Sequence, residues 1–291
     1  MQPIRVACVQ YLNTAPLVEG LDTLEGLTLI PAVPADIAGM LRRDEADVGL
    51  ASVVDATSGE SPALSLLDCG MIGCHGRTLT VRLFSAAPPS EIAELHVDAD
   101  SHTSVVLARL LLAELYGAEP SVVPFDVRER VAAGGASAED EGWPASLLVI
   151  GDKVVTHSPP AIRYPHQLDL GAAWREWTGL PFVYATWMCR TDDLDEPESA
   201  ARIRLVADLL DRQRRHNATR LDWLIAQWAP RARWPLDLAK EYVGELLRYE
   251  VDGDARRAVE RFFELGHRRR LLDSVRASWA ALPAPRAPAG A

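Results

Sequence analysis

The sequence predicts an α/β fold of two lobes, and three observations carry that prediction. Short apolar strand candidates alternate with helix candidates through the first two thirds of the chain. From Pro197 onward the alternation stops, and amphipathic helices follow one another. Two extended segments, 79–85 and 181–187, bracket the middle third and read as paired crossover strands joining two lobes. Alternation of strand and helix indicates a mostly parallel sheet. The expected lobes are 1–86 with 180–291, and an inserted 87–179. A cleft between two such lobes is a usual place for a small ligand.

Taken in order, residues 4–9 are apolar except for Arg5 and read as a buried strand. Further strands are expected at 27–31, 47–51, 79–85, 95–98, 121–124, 147–150 and 182–187. Helices are expected at 35–43, 103–116 and 170–177 between them. The later helices are 199–217, 221–228, 236–249 and 255–270. Residues 131–144, rich in Ala, Gly and acids, read as a flexible surface loop. Residues 282–291, rich in Pro and Ala, read as a frayed tail. No internal repeat is visible.

Composition narrows the function classes. The chain has 291 residues and is 48% hydrophobic, enough for a full core. A net charge of −11 argues against nonspecific nucleic-acid binding, which needs a basic face. It leaves room for a small acidic ligand, because a cleft can be locally positive on an acidic protein. No basic start leads into an apolar signal segment, and no run is long enough to cross a membrane, so a cytoplasmic protein is expected. Cys8, Cys69, Cys74 and Cys189 have no metal-ligand spacing and read as buried free thiols. The seven histidines are scattered without a paired motif, so no metal is expected. A P-loop lysine motif, a GxGxxG after the first strand and a GxSxG elbow are all missing.

Three loops carry polar residues at the ends of strands. After the first strand come Tyr11, Leu12, Asn13 and Thr14, then an apolar helical run with Pro16 in its first turn. Thr14 can cap that helix, and Asn13 sits at the mouth of an anion pocket made by free N–H groups. An Asx-turn with an N-cap and no ligand explains the same residues. Ser101, Thr103 and Ser104 stand ahead of the apolar run 105–115 and put three hydroxyls beside helix N–H groups. One of them caps the helix; three exceed what capping needs. His102 adds a titratable charge, or is an exposed loop residue. Gly151 permits close backbone approach, and Asp152 reads as an N-cap or as a catalytic carboxylate. Thr80 faces the cleft or fills a β-branched strand position. The basic run His267–Arg270 reads as a solvated helix end.

Four motifs in order resemble the chorismate dehydratase family of the futalosine route to menaquinone. They are Tyr11-Leu12-Asn13-Thr14-x-Pro16-Leu17, Asp98-x-x-Ser101-x-Thr103-Ser104, Ile150-Gly151-Asp152, and Asp169-Leu170-Gly171-x-x-Trp174-x-x-Trp177-Thr178-Gly179-Leu180-Pro181-Phe182-Val183. The resemblance implies a type II periplasmic-binding-protein-like fold, with two α/β lobes, a ligand cleft between them and C-terminal helices. It implies a hydro-lyase that removes water from chorismate to give 3-[(1-carboxyvinyl)oxy]benzoate, with no cofactor. It also implies a substrate-binding set of Tyr11, Thr14, Thr80, Ser101, His102, Thr103, Ser104, Gly151 and Asp152, with Asn13 as the catalytic position. On that resemblance Ser101, Thr103 and Ser104 are expected to hold one carboxylate with Thr80 nearby, while Asn13 and Thr14 are expected to grip the other side of the ligand. A neutral amide has almost no proton affinity near neutral pH. Asn13 is therefore expected to position the ligand while the substrate's own enolpyruvyl carboxylate takes the proton.

The chain departs from the family at three places. A Gly-Pro-Val-Arg-Ser stretch is replaced by Gly76-Arg77-Thr78-Leu79-Thr80, which keeps a hydroxyl at Thr80 and loses an arginine at Leu79. Arg77 and Arg82 are the nearest cations that can compensate. Ser-Arg-Thr-Ser becomes Ser101-His102-Thr103-Ser104, and the proline usual near Ser52 is absent. Each charge-assisted bond lost forgoes on the order of 1.5–3 kcal/mol. A cytoplasmic binding or sensing protein for a cyclic carboxylate, and a paralogous lyase, are the alternatives.

Overall fold

A computed structural model describes residues 3–98, 100, 102–127, 142–276 and 278–282. Most of the loop expected at 131–144 and of the tail expected at 282–291 lies outside the described residues. The strands are β1 (Ile4–Cys8), β2 (Leu27–Pro31), β3 (Val48–Ser52), β4 (Leu64–Cys74), β5 (Val81–Ser85), β6 (Glu94–Val97), β7 (Ser121–Pro124), β8 (Ser146–Ile150), β9 (His166–Asp169), β10 (Phe182–Arg190) and β11 (Leu247–Arg248). They form a six-stranded sheet in the order β11-β4-β10-β3-β1-β2 and a five-stranded sheet in the order β7-β6-β8-β5-β9.

The sheets are mixed rather than mostly parallel. β1 runs parallel to β2 and β3, and β6 runs parallel to β7 and β8. β10 is antiparallel to both β3 and β4, and β5 is antiparallel to both β8 and β9. The topology explains this. The chain leaves the first sheet after β4, builds the second, and re-enters between β4 and β3 in the opposite direction.

The expected pairing of 79–85 with 181–187 does not occur. β5 is hydrogen-bonded inside the second sheet and β10 inside the first. Both segments are extended and apolar, and periodicity alone names no partner. Sheet membership changes between Cys74 and Val81, and again between Asp169 and Phe182. β5 starts two residues later than expected because Leu79 has φ 70°, a left-handed conformation that ends an extended run.

Helices cover the sheets where their apolar faces dictate. Pro34–Arg42 buries Ile37, Ala38 and Leu41, and Gly253–Arg268 buries Ala255, Ala258, Val259, Phe262 and Phe263. The latter starts at Asp252, whose carboxylate accepts from the Ala255 N–H at 2.8 Å. Pro197–Ala218 lays Ile203, Val206, Ala207 and Leu210 on the core that includes Val6, Leu50 and Trp187. The single helix expected at 236–249 is instead three pieces: an α-helix Leu236–Lys240, a π-helical turn Glu241–Leu246, and β11. All four cysteines are buried free thiols. Among the described residues no helix is long and apolar enough to cross a membrane.

Candidate functional site

A cavity of about 70 Å³ lies where the two sheets face each other. Val9 and Ser52, just past or at the C-terminal ends of β1 and β3, line it from one side. Ile150 and Gly151, at the C-terminal end of β8, and Ser104 of the helix His102–Tyr116 line it from the other. Carboxyl ends of strands are where open α/β sheets bind ligands. Tyr11 and Asn13 enter from the loop after β1, Thr78 and Thr80 from the segment before β5, Tyr184 from β10, and Tyr242 from the π-helical turn.

The segment before β5 is held open by one carboxylate. Asp169 caps the helix Leu170–Thr178 through the Ala172 N–H at 3.1 Å. Its two oxygens also accept from the Thr78 N–H at 2.9 and 3.1 Å, and from the Leu79 N–H at 2.7 Å. Three backbone donors on one carboxylate hold Leu79 in its left-handed conformation and turn the hydroxyls of Thr78 and Thr80 inward. Gly171 lets the helix approach this segment. A Cβ there would press on Thr78 Oγ1 and fall 2.5 Å from the Gly76 carbonyl oxygen and 2.6 Å from Cys74 Sγ.

The polar atoms of the wall are hydroxyls and one amide. Thr78 Oγ1 is 2.7 Å from the Tyr184 hydroxyl and 3.1 Å from Cys74 Sγ. Thr80 Oγ1 is 2.6 Å from the Tyr242 hydroxyl. Burial pushes both phenols up, so each stays protonated near neutral pH, and it pushes the Cys74 thiol up to about 11. Asn13 Oδ1 is buried and has no hydrogen-bond partner. No arginine, lysine or carboxylate is among the described residues of this wall.

The expected contacts divide. Tyr11, Asn13, Thr80, Ser104 and Gly151 line the cavity, and Gly151 has φ 65°. Thr14 does not. It is fully buried, and its hydroxyl donates to the Val9 and Tyr11 carbonyls at 2.9 and 2.8 Å. Thr14 also gives no side-chain cap, because only a 3₁₀ turn, Leu12–Thr14, and a four-residue helix, Ala15–Val18, follow β1. Thr103 is buried behind the wall with its Oγ1 unpartnered. His102 turns away: its Nδ1 is 2.7 Å from Asp55 Oδ1, and that bond raises its pKa against burial. Ser101 lies outside the described residues. Arg77 pairs with Glu241 at 2.5 Å and Arg82 with Gln167 at 3.2 Å, and neither reaches the cavity.

Asp152 lines a second cavity, of about 550 Å³, on the far side of Tyr11. It offers no side-chain cap; Asp152 Oδ2 lies 3.5 Å from the Leu12 N–H, a long contact between the two sheets' loops. Lys153 beside it is buried between Asp98 and Asp100, the latter at 2.8 Å. Burial works against its charge, and the two carboxylates outweigh that, so its pKa is raised. Sequence reasoning missed Ser52, Thr78, Tyr184 and Tyr242 as hydroxyl-bearing wall residues, and Asp169 as the clamp. Only Asp169 carried a signal: an acid three residues before an N–H at a helix start.

Comparison with known proteins follows this geometry. A family profile described as menaquinone biosynthesis matches residues 4–268. The chain belongs to the menaquinone biosynthesis family. It is 31% identical over 210 residues to a chorismate dehydratase of Thermus thermophilus, covering 66% of this chain and 72% of that one. Among solved structures, protein AF1704 of Archaeoglobus fulgidus superposes with a TM-score of 0.66 at 16% identity, over 93% of this chain and 98% of that one. The periplasmic aliphatic sulphonate binding protein SsuA of Escherichia coli gives a TM-score of 0.60 at 13% identity, over 97% and 99%. The fold is therefore that of the periplasmic binding proteins, as the sequence motifs implied.

Proposed function

We propose that this protein is a cytoplasmic hydro-lyase that removes water from chorismate to give 3-[(1-carboxyvinyl)oxy]benzoate, in the futalosine route to menaquinone. One observation carries the reading: Asn13, from the loop after β1, and Thr80, from the segment entering β5, line one small cavity, and Asn13 Oδ1 is buried without a hydrogen-bond partner. Family membership and the dehydratase relative support it.

The chemistry asks little of the protein beyond placement. The ring C–H bond beside the enol ether breaks, and its proton passes to the substrate's own enolpyruvyl carboxylate. The ring C–O bond breaks with its electron pair on oxygen, and the hydroxide leaves as water with that proton. Aromatisation drives the step. A wall of hydroxyls and one amide can orient both groups without supplying a base. One ring carboxylate would meet Ser104 and the N–H groups at the start of His102–Tyr116; the other side of the ligand would meet Asn13 and Tyr11.

A cavity that houses benzene measures about 150 Å³, and the cavity here is about 70 Å³. Entry of a carboxylated ring therefore requires the two sheets to part. We propose that they do so as lobes hinged at 75–80 and 179–181, close to the division at 86 and 180 expected from the sequence.

Incubation of the purified protein with chorismate, read by mass spectrometry, tests the function. Stoichiometric appearance of the dehydrated aromatic product is expected. Tight chorismate binding without product would favour a sensor, and neither binding nor product would favour another substrate; each result overturns the proposal.

A further inference from the structure

Tyr242 is the residue on which the two sides of the cavity meet. It belongs to the π-helical turn Glu241–Leu246, a geometry that recurs at functional sites. Tyr242 and Leu247, five residues apart, both reach the wall. The Tyr242 ring is 1% exposed and stacks on Trp234, with centroids 4.9 Å apart and planes 14° apart. Packing therefore fixes where its hydroxyl sits.

That hydroxyl has one neighbour of its own kind: Thr80 Oγ1 is 2.6 Å away. Asn13 lines the same cavity, and its Oδ1 is buried without a partner. A phenol carries one proton, and giving it to Thr80 leaves the Thr80 proton free for the cavity.

We propose that Tyr242 is a positioning residue for the dehydration, giving its O–H to Thr80 Oγ1 and so aiming the Thr80 O–H into the cavity. Thr80 then offers a donor to the departing hydroxyl, and Asn13 Oδ1 offers an acceptor opposite. The Tyr242–Thr80 pair lends hydrogen bonds and ends the cycle with every proton where it began. Burial keeps the phenol protonated throughout, which suits a relay and excludes a base. The proposal rests on the dehydratase reading above and adds to it a residue that never touches the substrate's reacting atoms.

Kinetics with chorismate test it. Tyr242→Phe keeps the ring on Trp234 and removes the proton. Its kcat is expected to fall about 10- to 100-fold, below the loss on removing a donor that touches the reacting oxygen, with KM changed less than about 3-fold. Thr80→Val is expected to fall at least as far, with Thr80→Ser recovering most of that loss. The double variant should be no slower than Thr80→Val alone, because Tyr242 acts through Thr80. A Tyr242→Phe enzyme at wild-type kcat, or losses that multiply in the double variant, overturns the proposal while the dehydratase reading stands. Thr80→Val at wild-type kcat overturns it even if Tyr242→Phe does not fold. A wild-type protein that forms no product overturns both.

Discussion

Gly171→Ala sets two magnitudes against each other. In a helix, alanine is favoured over glycine by up to about 1 kcal/mol, so propensity alone predicts a more stable protein. The surroundings predict the opposite. The added Cβ would press on Thr78 Oγ1 and sit 2.5 Å from the backbone oxygen of Gly76. Thr78 cannot swing aside freely, because Tyr184 at 2.7 Å and Cys74 at 3.1 Å hold its hydroxyl and Asp169 holds its N–H. Forcing a methyl into a packed site costs about 1–3 kcal/mol. With three atoms, one of them backbone, within 2.6 Å of the added carbon, the cost belongs at the top of that range, and the net expectation is a loss of about 2 kcal/mol, or roughly 4–8 °C in Tm for a chain of this size. Because Thr80 is two residues from Thr78, kcat on chorismate should fall with it. Urea unfolding with an unchanged m-value gives the free energy. A variant as stable as the parent, or more so, would refute the claim that Gly171 is required by close approach.

Replacing Lys153 by Met leaves Asp98, which is 3% exposed, without its main counter-charge. Breaking a buried pair costs about 3–5 kcal/mol, to be read by urea unfolding; a loss under about 1 kcal/mol would contradict the buried network. The His102–Asp55 bond makes stability depend on pH. The folded pKa of His102 is raised above its unfolded value, so its contribution is complete below about 6.5 and fades as pH climbs through the folded value. The Tm gap between the parent and His102→Gln should therefore be widest near pH 6 and close toward alkaline pH; a gap that widens with pH would reverse the assignment. Asn13→Asp puts a carboxylate where the wall has an unpartnered amide oxygen, and turnover of a dianion should fall by about tenfold or more. Undiminished turnover would remove Asn13 from its positioning role.

Sequence pattern located the strands whose apolar runs are short and uninterrupted. β2 and β7 fall at the expected residues, and β1, β3 and β8 within one or two. β4 escaped notice because Gly70 and Gly73 interrupt it, and glycine weakens a strand signal. β11 escaped because a helical period runs through 236–249 until the π turn re-phases it. At the site, residues in loops at strand ends were legible: Tyr11, Asn13, Thr80, Ser104 and Gly151 reach one cavity. His102 and Thr14 misled for one reason. A polar residue in a binding loop is chemically identical to one that closes the loop on itself or bridges to Asp55, and only tertiary geometry separates the two. Tyr242 was invisible because its hydrogen-bond partner, Thr80, is 162 residues away in sequence.

The cavity wall bears no fixed positive charge among its described residues, while the whole chain carries −11. Repulsion between that overall charge and an incoming dianion acts over a distance that ions screen, whereas short dipolar contacts inside the wall do not feel the ionic atmosphere. Raising ionic strength should therefore quicken capture and leave the dissociation rate alone. A protein that clasped its ligand with arginines would respond the other way.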